Sequence, residues 1–226
     1  MNRLILFDVD GTLIHSGKAG RRALSKALHE LCGVPDGFKG IDFAGKTDLQ
    51  IMREGLAKLG LCPLDGYLSS LTELYLARLR EEVSIAPGQV GVGVRELLET
   101  IRGKEHLPLG LLTGNLERGA RVKLEPLGLN PFFPFGAFGS DHEDRNQLLP
   151  IAIQRLRQLR GISLSPADCV VIGDTPLDVE CARVHGSRSI AVATGPYSIE
   201  ALVRTDADLV LPDLSATSSI LEWIER

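Results

Sequence analysis

Short runs of apolar residues recur along the chain, at residues 4–7, 107–112, 169–172, 189–192 and 209–211. A continuous apolar run of this length is typical of a parallel strand that is buried on both faces. Helical patterns separate the later runs, at about 117–127, 146–160, 177–185 and 198–204, and the stretch 131–138 (PFFPFGAF) is interpreted as a packed loop leading into a short strand. The alternation predicts an α/β fold, with a Rossmann-like parallel sheet core and helices on both faces.

The segment from residue 16 to residue 85 interrupts this alternation, because it shows only helical patterns, at about 18–32, 48–59 and 64–82. In the last of these, Leu71, Leu74 and Leu79 follow helical spacing. Pro87 and Gly88 then break the pattern. The simplest arrangement is an all-helical cap domain (16–85), inserted after the first strand of a core domain that comprises 1–15 and 86–226.

Composition excludes several classes of protein. The chain has 226 residues, of which 44% are hydrophobic, and a net charge of -4, so it lacks the basic surface typical of nucleic-acid binding. The apolar run before Asp8 is too short for a signal peptide, and no window approaches a membrane span. We expect a cytoplasmic protein with no nucleic-acid or membrane partner. Its four cysteines form no CxxC pair and are expected to be reduced.

Polar residues directly follow three of the predicted strands. The stretches are FDVDGT (7–12), TGN (113–115) and GDTPLD (173–178). In open α/β sheets, ligands bind beyond the carboxyl ends of the strands. We therefore expect Asp8, Asp10, Thr113, Asp174 and Asp178 to converge on one site.

Each stretch also has a purely structural explanation. Asp-Gly pairs are common in turns, and Asn115 could cap the helix that follows it. Thr175, Pro176 and Asp178 fit a helix capping box, which does not exclude a second role for Asp178. Convergence at three strand ends is therefore more informative than any one stretch.

The residue types favour metal and phosphate chemistry. Carboxylates at several strand ends suit Mg²⁺, which prefers oxygen ligands. Glycine-rich turns expose backbone N–H groups that suit a phosphate. Two adjacent carboxyl groups can act as nucleophile and as general acid and base.

The ordered set of strand-DxDGT, strand-TGN, a basic residue and strand-GDTxxD resembles the haloacid dehalogenase superfamily of phosphotransferases, in the helical-cap branch of phosphoglycolate phosphatase and β-phosphoglucomutase. The resemblance implies that Asp8 is the nucleophile that forms an aspartyl-phosphate. Asp10 would protonate the leaving oxygen and then activate water, and its presence favours phosphoester chemistry over dehalogenation. The remaining implied roles are phosphoryl binding by Thr113, Gly114 and Asn115, and Mg²⁺ binding by Asp8, the Asp10 carbonyl, Asp174 and, in support, Asp178.

The family also places a basic residue about thirty positions beyond the threonine, often followed by proline. Arg145 lies 32 residues after Thr113 and heads a helix, but it lacks the following proline. We expect Arg145 to bind the phosphoryl oxygens and to neutralise the carboxylates. The alternatives are that Arg145 only pairs with Glu143 or Asp144, and that Lys123 is the basic residue. Lys123 is expected to face away from the site, because it lies in the middle of a helix.

The cap is expected to select the substrate. Lys46 could contact the distal part or the phosphate of the substrate, or it could be a surface lysine. Thr47 and Gln50 fit a capping box, and Lys18, Arg21 and Arg22 are weaker candidates for contacts.

Together these features predict a Mg²⁺-dependent phosphatase that hydrolyses a small phosphorylated metabolite, such as a phosphorylated organic acid or sugar. One alternative is a phosphomutase that returns the phosphoryl group to a sugar. A second is a phospho-aspartate receiver module, which the helical insertion disfavours.

Overall fold

The structure, a computed structural model, describes residues 2–62 and 66–226. Its strands are β1 (Leu4–Phe7), β2 (Ile14–His15), β3 (Gln89–Val90), β4 (Leu109–Thr113), β5 (Gly136–Phe138), β6 (Cys169–Gly173), β7 (Arg188–Val192) and β8 (Leu209–Leu211). Its α-helices are α1 (Ala19–Cys32), α2 (Asp48–Lys58), α3 (Leu68–Ile85), α4 (Val94–Ile101), α5 (Glu117–Leu124), α6 (Leu148–Arg160), α7 (Pro176–Arg183), α8 (Ile199–Val203) and α9 (Thr217–Glu225).

A parallel sheet with the strand order β5-β4-β1-β6-β7-β8 forms the centre of the described part of the chain. All the predicted strands are present, and the 131–138 stretch does lead into the short strand β5. β1 pairs with β4 on one side and with β6 on the other, and Phe7 lies opposite Leu111 and Ile172. The carboxyl ends of these three strands are therefore neighbours.

Helices cover both faces of this sheet. Side chains alternate across a strand, so Ile5 and Phe7 point to one face while Leu4 and Leu6 point to the other. The first pair belongs to an apolar cluster that includes residues of α4, α5 and α9, and the second pair to a cluster with residues of α6 and α7. The predicted α/β class, with helices on both faces, is confirmed.

The helices α4 and α9 are absent from the sequence interpretation. The signal for α4 was present, since Val94, Leu97, Leu98 and Ile101 are buried and follow the i, i+3, i+4, i+7 spacing of an amphipathic helix. Both helices pack on the face of the sheet that carries Ile5 and Phe7.

The segment between β2 and β3 contains α1, α2 and α3, which pack around an apolar cluster of their own. β2 and β3 form a short antiparallel pair where the chain leaves and re-enters the sheet region, with Ile14 opposite Val90. We call residues 16–85 the helical insert. Its third helix begins at Leu68 within the described residues and ends at Ile85, while its predicted start at residue 64 lies outside them. The division into two domains remains our interpretation.

The structure also bears on the cysteines and on membrane-spanning helices. All four cysteines are free. Among residues 2–62 and 66–226, the structure has no helix with both the length and the apolar character of a membrane span.

Candidate active site

The three strand ends meet at a cavity of about 730 Å³ between the sheet and the helical insert. The predicted residues that line it are Asp8, Asp10, Lys46, Gly114, Asn115, Arg145 and Asp174. Thr113 and Asp178 are buried behind this lining, at 0% and 2% exposure. The expected convergence therefore occurs, with two of the residues in a supporting layer rather than at the surface of the cavity.

Asp8 follows β1 directly and is buried. Its backbone N–H donates to the Ile172 carbonyl at 2.9 Å, which extends the β1–β6 pairing by one residue. Its Oδ1 accepts a hydrogen bond from Nη2 of Arg145 at 3.0 Å. Burial raises the pKa of Asp8 to about 6; the positive charge of Arg145 opposes this shift, and the negative charges of Asp178 and Asp10 add to it. Asp8 is thus a buried carboxylate that needs nearby positive charge to stay ionised.

Asp10 is held by both of its carboxylate oxygens. Oδ1 accepts from the Ser16 hydroxyl at 2.6 Å, and Oδ2 accepts from Lys123 Nζ at 2.5 Å and from Asn115 Nδ2 at 2.9 Å. Burial raises the pKa of Asp10, but the ammonium of Lys123 and the hydrogen bonds from Lys123, Ser16 and Asn115 outweigh it, so the pKa is lowered overall.

Gly11 provides the turn between the two acids and the chain that leads to the insert. Its φ is 85°, a left-handed conformation that side chains other than glycine rarely adopt. A Cβ at this position would also lie 2.4 Å from Oδ2 of Asp174. Glycine is therefore required here both by the backbone and by the approach of a carboxylate from β6.

At the end of β4, the TGN stretch forms a compact hydrogen-bonded unit. Oγ1 of Thr113 accepts from Nδ2 of Asn115 at 2.8 Å and from its backbone N–H at 3.3 Å. A Cβ on Gly114 would lie 2.2 Å from the Lys46 carbonyl oxygen. The hydrogen bonds from Asn115 thus occupy the Thr113 hydroxyl oxygen, and the insert backbone packs closely against Gly114.

Arg145 takes the position predicted for the basic residue. It is 7% exposed, and its Nη2 contacts Asp8 and also Oδ1 of Asp178. Nη1 donates to the Gly45 carbonyl of the insert at 3.1 Å, while Nε is buried and has no hydrogen-bond partner among residues 2–62 and 66–226. Burial lowers the pKa of Arg145, but Asp178 and Asp8 outweigh burial and raise it, so the guanidinium stays charged.

The expectation that Lys123 faces away from the site is wrong. Lys123 is 4% exposed and places Nζ 2.5 Å from both Asp10 Oδ2 and Asn115 Oδ1. The sequence signal was its spacing, because Ala120 and Leu124 are buried on the same helix and Lys123 lies on their face. Burial lowers the pKa of Lys123, but Asp10 and Asp48 outweigh it and raise the pKa overall. The site therefore holds two buried cations, Arg145 at Asp8 and Lys123 at Asp10.

The two acids after β6 have different surroundings. Oδ1 of Asp174 accepts from the Thr12 hydroxyl at 3.0 Å. Burial, Asp8 and Asp178 raise the pKa of Asp174 well above its ordinary value. Asp178 forms the predicted capping box, in which its Oδ2 accepts from the N–H and hydroxyl of Thr175 at 3.0 and 2.7 Å. Because its Oδ1 contacts Arg145, Asp178 is a poor candidate for a direct metal ligand.

The donors that remain at the cavity fit Mg²⁺. Among residues 2–62 and 66–226, no three His, Cys, Asp or Glu side chains are grouped as a metal site. Mg²⁺ needs fewer, because it is usually held by one or two carboxylates together with phosphate oxygens and water. Asp8 and Asp174 supply two such carboxylates. Burial raises the pKa of both, and the negative charge of Asp8 adds to the rise at Asp174; a bound divalent cation would favour their ionised forms.

The wall opposite the sheet comes from residues 42–48 of the insert, which we call the insert loop. Thr47 caps α2 as predicted, since its Oγ1 accepts from the Gln50 N–H at 3.2 Å. The side chain of Gln50 donates to Glu54 instead of completing the capping box. Lys46 lines the cavity with its ammonium 2.7 Å from Glu54, so any contact of Lys46 with substrate competes with this ion pair. Lys18 and Arg21 also line the cavity, whereas Arg22 pairs with Glu82.

Comparison with known proteins agrees with this geometry. Residues 2–186 match the family model described as haloacid dehalogenase-like hydrolase. The chain is 28% identical over 234 residues to a phosphoglycolate phosphatase of Rhodospirillum rubrum, covering 99% of this chain and 91% of that protein. It is 27% identical over 217 residues to a phosphoglycolate phosphatase of Pseudomonas putida, covering 95% of this chain and 78% of that protein. A crystal structure of a hydrolase from Pseudomonas syringae has the same fold, with a TM-score of 0.72, 24% identity and coverage of 99% of both chains.

Proposed function

Because this chain belongs to the haloacid dehalogenase-like hydrolase family, we propose that it is a Mg²⁺-dependent phosphatase that hydrolyses a small phosphomonoester through an aspartyl-phosphate. The observation that carries the proposal is the pairing of two adjacent acids with two different cations. Arg145 holds Asp8, and Lys123 holds Asp10, at one edge of the same cavity. This arrangement gives two carboxylates in one site separate roles.

In the first step, a carboxylate oxygen of Asp8 attacks phosphorus and the bond between phosphorus and the leaving oxygen breaks. The leaving oxygen takes a proton from the carboxyl group of Asp10 and departs as the alcohol. Arg145 lies beside Asp8 and lines the cavity, so its guanidinium can bind the phosphoryl oxygens as charge develops on them.

In the second step, water attacks the phosphorus of the aspartyl-phosphate and gives a proton to Asp10. The phosphorus–oxygen bond to Asp8 breaks, which releases inorganic phosphate and restores the carboxylate. The lowered pKa of Asp10 in the free protein suits this step, in which Asp10 accepts the proton. In the first step, the phosphate dianion of the substrate raises the pKa of Asp10, because like charges disfavour ionisation.

Asp8, Asp174 and the backbone carbonyl of Asp10 would hold Mg²⁺. When bound, the ion supplies positive charge that offsets the repulsion between the phosphate and the carboxylates. Without it, Asp8 and Asp174 are buried acids with raised pKa values.

The substrate is expected to be a small phosphorylated metabolite. The curated relatives in Rhodospirillum rubrum and Pseudomonas putida are phosphoglycolate phosphatases, so 2-phosphoglycolate is the first compound to test. A screen of phosphorylated acids and sugars, ranked by kcat/KM in Mg²⁺, would identify the preferred substrate. Release of free phosphate distinguishes a phosphatase from a phosphomutase, which would instead yield an isomerised sugar phosphate.

The test of the nucleophile is Asp8→Asn, assayed with 4-nitrophenyl phosphate and Mg²⁺. We expect turnover to fall at least about 1,000-fold, because the amide cannot form the acyl phosphate. Acid-quenched wild-type protein should carry a phosphoryl group on the peptide that contains Asp8. The matched control is Asp206→Asn, which removes a carboxylate that is 82% exposed and should leave turnover unchanged. Wild-type turnover by the Asp8→Asn variant would show that Asp8 is not the nucleophile.

A further inference from the structure

Lys123 is a buried cation to which the resemblance assigns no role. It projects from α5 into the cavity, with 4% of its surface exposed. Burying a lysine costs free energy unless its ammonium is paired and hydrogen-bonded. A lysine on the packed face of a helix therefore calls for an explanation in terms of what it contacts.

We propose that Lys123 is a positioning residue that orients Asp10 toward the leaving oxygen. The inference rests on the proposed function, because it concerns proton donation in the first step. Lys123 acts through Asp10 and is not assigned a contact with the substrate.

Asp10 depends on its hydrogen-bond partners for a fixed orientation. Its side chain is 35% exposed, so without fixed partners it could adopt several rotamers. Ser16, which holds Oδ1, is the first residue of the helical insert. Lys123 and Asn115 hold Oδ2 from the sheet region. Lys123 is the charged member of the pair and makes the stronger, charge-assisted bond.

Lys123 also fixes the orientation of the Asn115 amide. Its ammonium donates to Oδ1 of Asn115, which leaves Nδ2 of that residue to donate to Asp10 and Thr113. Without the ammonium, the amide could turn over and present an oxygen to Asp10. One lysine thus supports both bonds to Oδ2 of Asp10.

The insert leaves room for the ammonium of Lys123 at Gly20. A Cβ added to Gly20 of α1 would lie 3.2 Å from Nζ of Lys123. A methyl group there would press on the ammonium, since this distance is shorter than an ordinary van der Waals contact. Gly20 is helical with an ordinary φ, so replacing it with alanine should favour the helix.

The test compares two aryl phosphates of similar size, phenyl phosphate and 4-nitrophenyl phosphate, in Mg²⁺. Phenolate is a poor leaving group and needs a proton, whereas nitrophenolate can leave unprotonated. The kcat/KM value reports the step in which the leaving group departs. For Lys123→Met we expect kcat/KM to fall about 30-fold with phenyl phosphate and about threefold with 4-nitrophenyl phosphate, because general acid catalysis contributes about 100-fold or more.

A second variant, Gly20→Ala, keeps Lys123 and displaces its ammonium. It should lower the ratio of kcat/KM for phenyl phosphate to kcat/KM for 4-nitrophenyl phosphate, as Lys123→Met does, but only by about threefold. The variant should lose no thermal stability. It also keeps the inference testable if Lys123→Met does not fold. The control is Arg121→Met, which removes another cation of α5 that donates to the Phe133 carbonyl and should not change the ratio.

If Lys123→Met lowers kcat/KM equally for both substrates, so that the ratio of the two values is unchanged, the positioning role is overturned. Loss of phosphate binding or of structure affects both substrates alike. If wild-type protein releases phosphate from neither the aryl phosphates nor any phosphorylated acid or sugar of the screen, the proposed function is wrong and the inference falls with it. If it hydrolyses both and the ratio does not respond to either variant, only the inference is wrong.

Discussion

At the scale of single residues, the properties of the site depend on charged side chains that are buried. Burial raises the pKa of both Asp8 and Asp174, and the negative charge of Asp8 adds to the rise at Asp174. Arg145 offsets part of this charge on the side of Asp8, where it also contacts Asp178. Asp174, by contrast, accepts a hydrogen bond from the neutral hydroxyl of Thr12. A divalent cation at that point would therefore stabilise the folded protein.

The first stability prediction concerns Asp174→Asn in EDTA. The raised pKa of Asp174 means that the folded state binds a proton more tightly than the unfolded chain, so this carboxylate destabilises the fold increasingly as pH rises above its ordinary value of 3.8. The variant should therefore melt at a higher temperature than wild type, and the difference should be larger at pH 7 than at pH 5.

The melting temperatures are then measured again with Mg²⁺ in place of EDTA. At 100 times its Kd, a ligand stabilises the folded state by about 2.7 kcal/mol, or several degrees in Tm for a protein of this size. Wild type and the Asp206→Asn control should show this rise, and Asp174→Asn should not. A full Mg²⁺-dependent rise in Asp174→Asn would contradict the assigned metal site.

At the scale of elements, an ion-pair cluster connects α1 and α3 of the helical insert, with its carboxylate buried and its two cations partly exposed. The Glu82 side chain is 8% exposed and pairs with Arg22 and Lys26. Hydrogen bonds from Lys26 and Arg22 outweigh burial and lower the pKa of Glu82. The carboxylate therefore stabilises the packing of the two helices while it is ionised.

The second stability prediction is that Glu82→Gln lowers the free energy of unfolding by about 1–2 kcal/mol at pH 7, because Arg22 and Lys26 lose the negative charge and one of the two oxygens that accept their hydrogen bonds. A lowered pKa contributes stability above the unfolded value of about 4.5, and this is lost as pH falls through the folded pKa. Urea unfolding should thus show a gap between variant and wild type that narrows from pH 7 to pH 4. The control, Glu81→Gln, removes an exposed partner of Arg78 and should cost less than about 1 kcal/mol. A gap that stays constant or widens at low pH would refute this account.

At the scale of the whole molecule, the insert loop closes over the strand ends. Its hydrogen bonds to the sheet region are Arg145 Nη1 to the Gly45 carbonyl (3.1 Å), the Thr47 hydroxyl to the Glu143 carbonyl (2.8 Å), the Asp48 N–H to the Gly114 carbonyl (2.7 Å) and the Leu116 N–H to Asp48 Oδ2 (2.9 Å). Arg145 thus contacts Asp8 and the insert at once. Closure of the insert and assembly of the site are therefore linked through one side chain.

The corresponding prediction concerns hydrogen exchange with and without Mg²⁺ and orthovanadate, a phosphate mimic. A bound anion at Arg145 should favour the closed arrangement, because it needs the same guanidinium in place. Amides of residues 43–48 should exchange more slowly with the ligands, while those of α9, which contributes no residue to the cavity lining, should not change. Equal exchange of residues 43–48 in both conditions would show that closure and anion binding are independent.

Much of the fold follows from local pattern. The apolar runs and their alternation with helical segments identified the strands of the sheet, because a strand buried on both faces must be apolar throughout. The same pattern placed Asp8, Asp10 and Asp174 directly after strands. The helix α4 was missed although its spacing was amphipathic, and the exact limits of β4 and α3 differ from the prediction by one to several residues.

By itself, the sequence determined the α/β class, the helical insert and the acids at the strand ends, because each of these is a property of consecutive residues. Only the tertiary structure decided which side chains face the cavity. Lys123 reaches Asp10 across 113 positions of the chain, while Thr113 and Asp178 lie behind the lining in hydrogen bonds to their own neighbours. Such contacts depend on how α5 and the insert pack over the sheet, and a spacing within one element cannot encode that packing.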